Sequence, residues 1–137
     1  MLEKDMRRLL KHEVRIQIPW VLIQRIETGS TGIGIPDFYF KTMYNEGWIE
    51  LKEIKGNVSR EAIIKIPYRP GQFNWIKKYI SLSGNVILIC SIGEVWHCFK
   101  GDYIWEEYMW EDFHLYGQQY GEAAKINFPK LLQNPYT

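Results

Sequence analysis

An aspartate, a glutamate and a lysine in the first half of the chain carry its strongest chemical signal. Asp37 follows Pro36 at the head of the run Ile35 to Phe40, and Glu50 and Lys52 flank Leu51 inside a second run, Gly47 to Ile54. Both runs are rich in β-branched and aromatic residues, and Lys41 to Glu46 between them suits a turn, so the segment reads as a β-hairpin. Pro36 is acceptable at the start of a strand but not inside a central one. Asp37 and Glu50 lie equally far from the midpoint between Met43 and Tyr44, so a symmetric hairpin sets the two carboxylates opposite each other. Lys52 is two residues beyond Glu50 and leaves the same face of its strand, while Leu51 points to the other face, into the core.

Two carboxylates and an ammonium at one spot suit a hard divalent cation such as magnesium, with manganese as the alternative ion. Magnesium keeps several waters and needs only one or two protein carboxylates plus substrate phosphate. A metal there can activate water, and the lysine can orient that water or offset charge growing on a phosphate oxygen. The competing reading is an exposed ion-pair ladder across a hairpin.

The surrounding elements must place these groups. Leu2, Met6, Leu9 and Leu10 recur at helical spacing among charged residues, which predicts a short amphipathic helix. Trp20 to Ile26 reads as a strand, ended by Glu27-Thr28-Gly29-Ser30-Thr31-Gly32-Ile33-Gly34, a glycine-broken loop. After the hairpin, Arg69 to Gly84 predicts a helix, with Pro70 near its first turn, Gly84 as its stop, and Phe73, Ile76, Tyr79 and Ile80 as its inner stripe. Asn85 to Ile92 reads as a fully buried strand that turns at Gly93-Glu94 into Val95 to Phe99. The order is helix, three strands, helix, two strands, then an aromatic tail of undecided structure from Gly101. No repeat, linker or low-complexity segment is visible.

Pro36-Asp37 followed by Glu50-Leu51-Lys52, with a glycine-rich loop before and a strand-helix-strand after, resembles the PD-(D/E)xK nuclease superfamily over roughly residues 1–100. Within it, small phage nucleases of the VRR-NUC type and archaeal-type Holliday-junction resolvases are most similar, from the size and the Gly-Ile-Pro-Asp string. The resemblance implies an α/β, restriction-endonuclease-like core, a mixed central sheet flanked by helices. It implies a magnesium-dependent DNA endonuclease, with junction resolution as the specific activity. Asp37 and Glu50 would hold the metal, the Leu51 backbone carbonyl would be a further ligand, and Lys52 would assist the water. Glu3, at i+3 and i+7 from Met6 and Leu10, matches the family's helix-one acid, and Gln72 matches a glutamine on its second helix. Each has a plainer reading, a solvated helix acid and a helix-start surface amide.

Other candidates are weaker. Glu27 can join the site or be a strand-end charge. Gly29 to Gly34 is G-x-x-G-x-G, neither a dinucleotide fingerprint nor a P-loop, and reads as a loop in which Ser30 or Thr31 can touch phosphate. Cys90, His97 and Cys98 suggest zinc, but two strands supply too few ligands, and buried thiols beside a core histidine fit better. Cys90 is expected across from His97, while His12 and His114 have no recognisable partners. Lys55, Arg60, Lys65, Arg69, Lys77 and Lys78 surround the expected active face and can track phosphates or be ordinary solvated charges. The tail, Tyr103 to Tyr116, can stack bases, cover the sheet or form a dimer surface.

Composition bounds the rest. The chain has 137 residues, 46% hydrophobic and 15% aromatic, enough for one core, so a single domain is expected over 1–137, with the core at about 1–100 and an extension at 101–137. Seventeen Lys+Arg against sixteen Asp+Glu exclude a polyanion-coating protein. Two cysteines and a charged N-terminal segment fit a reducing compartment, the cytoplasm, or the host's for a phage-encoded chain. A branched-DNA partner and a homodimer are expected, because two symmetric cuts need two sites. A nicking or flap nuclease, a non-catalytic nucleic-acid binder on the same fold, and a protein-interaction module are the rivals.

Overall fold

The computed structural model describes residues 1–26, 34–56 and 59–133. Helix α1 spans Glu3–Gln17 and buries Met6, Leu10 and Val14, one stripe at helical spacing. Strands β1 (Leu22–Arg25), β2 (Phe38–Lys41) and β3 (Glu46–Ile54) follow, then the short β4 (Ile63–Lys65) and helix α2 (Gln72–Ser81). Strands β5 (Val86–Ile92) and β6 (Val95–Lys100) form the second hairpin, and the tail folds into β7 (Glu107–Met109), α3 (Trp110–Tyr116), β8 (Gln118–Tyr120) and α4 (Phe128–Gln133). Six strands make one mixed sheet in the order β1-β2-β3-β5-β6-β8, in which β3 and β5 are parallel and the other pairs antiparallel.

The expected hairpin register is the observed one. Phe38 pairs with Ile49 and Lys41 with Glu46, which are equidistant from the same midpoint. The second hairpin likewise sets Cys90 against His97. The β5 strand is parallel to β3 and central, so it is covered on both faces; its residues Val86 to Ser91 are all buried.

The sheet separates two apolar cores. Ile49 and Leu51 of β3 join Ile87, Ile89, Trp96 and Cys98 beneath α1 and α4. On the other face Val86, Leu88, Cys90 and Phe99 pack against Ile76 of α2 and against Tyr108 and Phe113 of the tail.

Three features depart from the sequence reading. No element was expected between Ile54 and Arg69, yet β4 forms there, paired antiparallel with β7 in a small second sheet. Second, α2 ends differently: Ser83 takes the left-handed turn (φ 66°), while Gly84 is needed for room, since a Cβ there would lie 2.1 Å from the Tyr79 ring. Its stripe is narrower too, with Gln72 and Ile76 buried and Phe73, Tyr79 and Ile80 half-buried. Third, the tail is a cover. Tyr108 and Phe113 are buried, and Trp105, Trp110 and Tyr116 are half-buried against the second core. Of the three uses the sequence leaves open for this segment, covering the sheet is the observed one, and little aromatic surface is left for a dimer contact, with Tyr103 the aromatic residue there that is half exposed. No helix among the described residues is long and apolar enough to cross a membrane.

Candidate active site

The end of β2 leaves an edge of β3 uncovered, and the site is built there. Trp48 donates its N–H to Asn85 just before β5, so even-numbered residues of β3 bond towards β5. Odd-numbered ones bond towards β2, which begins at Phe38 and so stops short of Leu51. Side chains take over the ladder from that point. The Leu51 N–H donates to Asp37 Oδ2 at 3.0 Å, and two residues on the Glu53 N–H donates to Glu3 Oε1 at 3.4 Å. The N–H and C=O of a strand residue leave on the same side, so the Leu51 carbonyl lies between the two N–H groups, about 7 Å apart along the strand, that bond these carboxylates. Glu3 is thus beside the site, half-buried at the first turn of α1.

Asp37 is fixed from both directions. Its carbonyl accepts from the Ile26 N–H of the β1 side at 2.8 Å, and the preceding Ile35 carbonyl accepts from Arg69 Nη2 at 3.1 Å. Gly34 makes this close approach possible, because a Cβ there would stand 2.7 Å from the Gly71 carbonyl oxygen and 2.8 Å from Trp75 Cβ. Arg69, read from sequence only as a cation near the active face, is a tie between the strand bearing Asp37 and the turn entering α2. The sequence signal for that role was its place immediately before Pro70-Gly71, where the chain must turn.

On the inner face, Glu50 is 1% exposed, Lys52 4% and Gln72 0%. Gln72 donates from Nε2 to Glu50 Oε2, and its own Oε1 accepts from the Arg69 N–H at 3.2 Å, so the amide can be oriented only one way. Lys52 Nζ lies 3.9 Å from Glu50 Oε1. Burial, then a hydrogen bond and like charge from Asp37, push the Glu50 carboxyl well above its usual range; Lys52 and Arg69 pull it back. The exposed-ladder reading is excluded for Glu50 and Lys52 by their burial, and the surface-amide reading for Gln72 by its burial and its partner.

The groups able to hold a cation are the Asp37 and Glu50 carboxylates with the Leu51 carbonyl, all hard oxygen donors. Two carboxylates forced together, one of them driven towards its protonated form, are a fit for a divalent ion, which would relieve their repulsion. Among the described residues no three of His, Cys, Asp and Glu converge, as a closed zinc site would require. Glu27 and the segment Glu27 to Ile33, with Ser30 and Thr31, lie outside the described residues. A cavity of about 530 Å³ opens next to Glu3, lined also by Glu53, Ile54, Lys55, Lys65 and Pro67.

Cys90 and Cys98 are buried and their thiols are pushed up by burial, as inert core cysteines are. His97 is buried against Phe113, ring centroids 4.8 Å apart. His114, without an expected partner, stacks on Trp110 and bonds its Nδ1 to the Trp110 carbonyl at 2.9 Å. The six basic residues named above are exposed, and Arg60 lies over the Trp110 ring, 5.1 Å from its centroid.

No protein-family model matches the chain, and no curated protein sequence matches it. Among solved structures it is similar to Hjc of Archaeoglobus fulgidus, a Holliday junction resolvase from an archaeal hyperthermophile, with a TM-score of 0.53 at 10% identity, over 84% of this chain and 97% of that one. The chain therefore has the restriction-endonuclease-like fold, a mixed sheet flanked by helices.

Proposed function

We propose that the protein is a metal-dependent DNA endonuclease acting on branched DNA, with Asp37, Glu50 and the Leu51 carbonyl as the magnesium ligands. The observation that carries this reading is the buried Glu50–Lys52–Gln72 group beside Asp37, at the uncovered edge of β3, on a fold similar to a solved junction resolvase. A bound cation would supply Lewis-acid stabilisation and a water of lowered pKa. Gln72 fixes Glu50 through Oε2, leaving Oε1 on the Lys52 side. Lys52 presents a preorganised positive charge to the attacking water or to the phosphate oxygen where charge develops, in a site largely closed to solvent. Asp37 keeps its acceptor geometry through the Leu51 N–H. Glu3, next along the edge, is positioned to take part through a bridging water. Lys55 and Lys65 around the adjoining cavity offer positive charge to the DNA backbone.

The test is a panel of end-labelled four-way junction, flap, nicked and plain duplex DNA incubated with protein and magnesium. Cutting of the junction at paired sites supports the reading; no cutting of any substrate, with magnesium or manganese, overturns it. A homodimer is part of the proposal, since one chain carries one such site and a junction needs two. Burial of the tail aromatics favours a second reading, a monomeric nicking or flap nuclease. Light scattering with and without junction DNA decides: twice the chain mass supports resolution, a monomer in both states supports nicking or flap cleavage.

A further inference from the structure

Helix α2 leads away from Gln72 to a second cavity. It has a volume of about 450 Å³ and is lined by Phe73, Lys77 and Ile80 of α2 and by Asp102, Ile104 and Trp105 of the segment after β6. That size lies within the range of small-molecule sites, which are mostly apolar with a few polar groups. Its two aromatic walls are held from behind. Trp105 stacks on Tyr108 with centroids 5.2 Å apart and donates Nε1–H to the Asp102 carbonyl at 2.8 Å. Phe73 rests against Tyr68 at 5.3 Å. Rings fixed in this way, and only half-buried, offer stacking surface at little entropic cost.

We propose that this cavity receives one unpaired nucleobase of the DNA strand whose phosphate lies at the Asp37–Glu50 site. The inference rests on the nuclease reading for that phosphate, and on its own geometry for the base. Stacking on aromatic rings suits any base, since each has a π-face, and it requires the base to leave its pair. Lys77 Nζ lies over the Phe73 ring, 6.0 Å from its centroid, and on an exposed, flexible stem it can swing aside to the adjoining phosphate as a base enters, while the Asp102 carboxylate can accept from an exocyclic amino group. The two sites share one helical turn: Phe73, which lines the cavity, directly follows Gln72, which holds Glu50. The substrate class is thus DNA with an unpaired nucleotide beside the cleaved bond, as at a branch point or flap.

The experiment uses the full chain without added metal, so that no turnover intervenes. The probes are a 12-nucleotide single strand carrying 2-aminopurine and the same strand in full duplex. The single strand is expected to bind with quenching of 2-aminopurine. Phe73→Leu and Lys77→Ala should each weaken single-strand binding, the former by about tenfold, with duplex affinity changed less than twofold; Phe73→Tyr should bind as wild type. Equal affinity of wild type and Phe73→Leu for the single strand, or parallel loss of single-strand and duplex binding, overturns the proposal. Asp37→Asn separates the two readings. Quenching retained in that variant supports the base site whatever the cleavage assay shows, and junction cleavage by a wild type that never quenches overturns the base site alone.

Discussion

Glu50 and Leu51 are neighbours on β3, both are buried, and they face opposite sides of the sheet. The face beneath α1 is apolar at Ile49, Leu51, Ile87 and Ile89, whereas the face beneath α2 encloses Glu50, Lys52 and Gln72 and, away from them, His97 among apolar side chains. The difference shows how one strand serves two purposes with a period of two. At its centre the odd positions Ile49 and Leu51 contribute hydrophobic stability that fixes the strand, and the even positions Glu50 and Lys52 contribute charges whose burial costs stability. A slip of one residue would exchange the two sets, so the apolar face also protects the register of the site.

The widest separation between the faces should appear at Glu50. Glu50→Gln or Asp37→Asn is expected to lower cleavage by more than about a hundredfold while the fold persists, and residual activity above a few per cent would break the assignment. Glu50→Gln should also reveal the cost of the charge. A carboxyl raised above its unfolded value contributes stability at low pH that is lost as pH rises through the raised value. Metal-free Glu50→Gln should therefore melt at or above wild type near neutral pH, the difference shrinking as pH falls; calorimetry in chelator measures both.

Leu51→Ala is the mirror experiment. It removes a fully buried side chain from the core beneath α1 and should cost about 2–5 kcal/mol in denaturant unfolding, with magnesium affinity of the folded fraction close to wild type. Loss of metal binding without loss of stability would mean that the faces are not divided as described. Lys52→Ala returns to the other face, with a single-turnover rate expected to fall about 10²–10³-fold and calorimetric cation affinity little changed.

How much of this was legible depends on how many residues carried each signal. The Asp37–Glu50 relation could be read because two long apolar runs and one turn fix a hairpin midpoint, and the observed pair Phe38–Ile49 shares it. The pair Cys90–His97 was legible for the same reason. β4, β7 and β8 are three residues each, too short for periodicity to declare, and β4 and β7 exist only through each other. Gln72 stands open in the sequence between a site residue implied by the resemblance and a surface amide, because its burial against Glu50 is a long-range contact. The left-handed Ser83 was hidden behind Gly84, since a glycine beside a helix end suggests a stop whether it supplies the turn or only the space.

A smaller effect is expected at His97, on the α2 face but away from the carboxylates. Burial first, and His114 second, lower its pKa to about 4. A histidine depressed below its unfolded value contributes stability that is present above about pH 6.5 and is lost as pH falls towards 4. The loss is up to about 3 kcal/mol. His97→Phe keeps a ring against Phe113 and removes the titration, so its unfolding free energy relative to wild type should rise as pH falls from 6.5 to 4. A pH-independent difference would place the acid sensitivity elsewhere.

The finest test concerns Arg69, a positioning residue that reaches both sides of the site. Its guanidinium holds the Ile35 carbonyl, its backbone N–H holds Gln72, and its charge opposes the rise of the Glu50 carboxyl. Arg69→Ala leaves the backbone bond and removes the other two contributions. Because Arg69 is exposed, stability should change by less than about 1 kcal/mol, and the single-turnover rate should drop about tenfold. A purely structural tie would stop there. Loss of the charge should also move the acid limb of the pH–rate profile to higher pH, since Glu50 then ionises less readily. Arg69→Lys keeps a positive charge without the planar donor that meets Ile35, so it should restore the limb while leaving part of the rate deficit. If both variants slow the reaction equally with no movement of the limb, Arg69 acts on Asp37 through the loop alone, and the electrostatic link to Glu50 is removed.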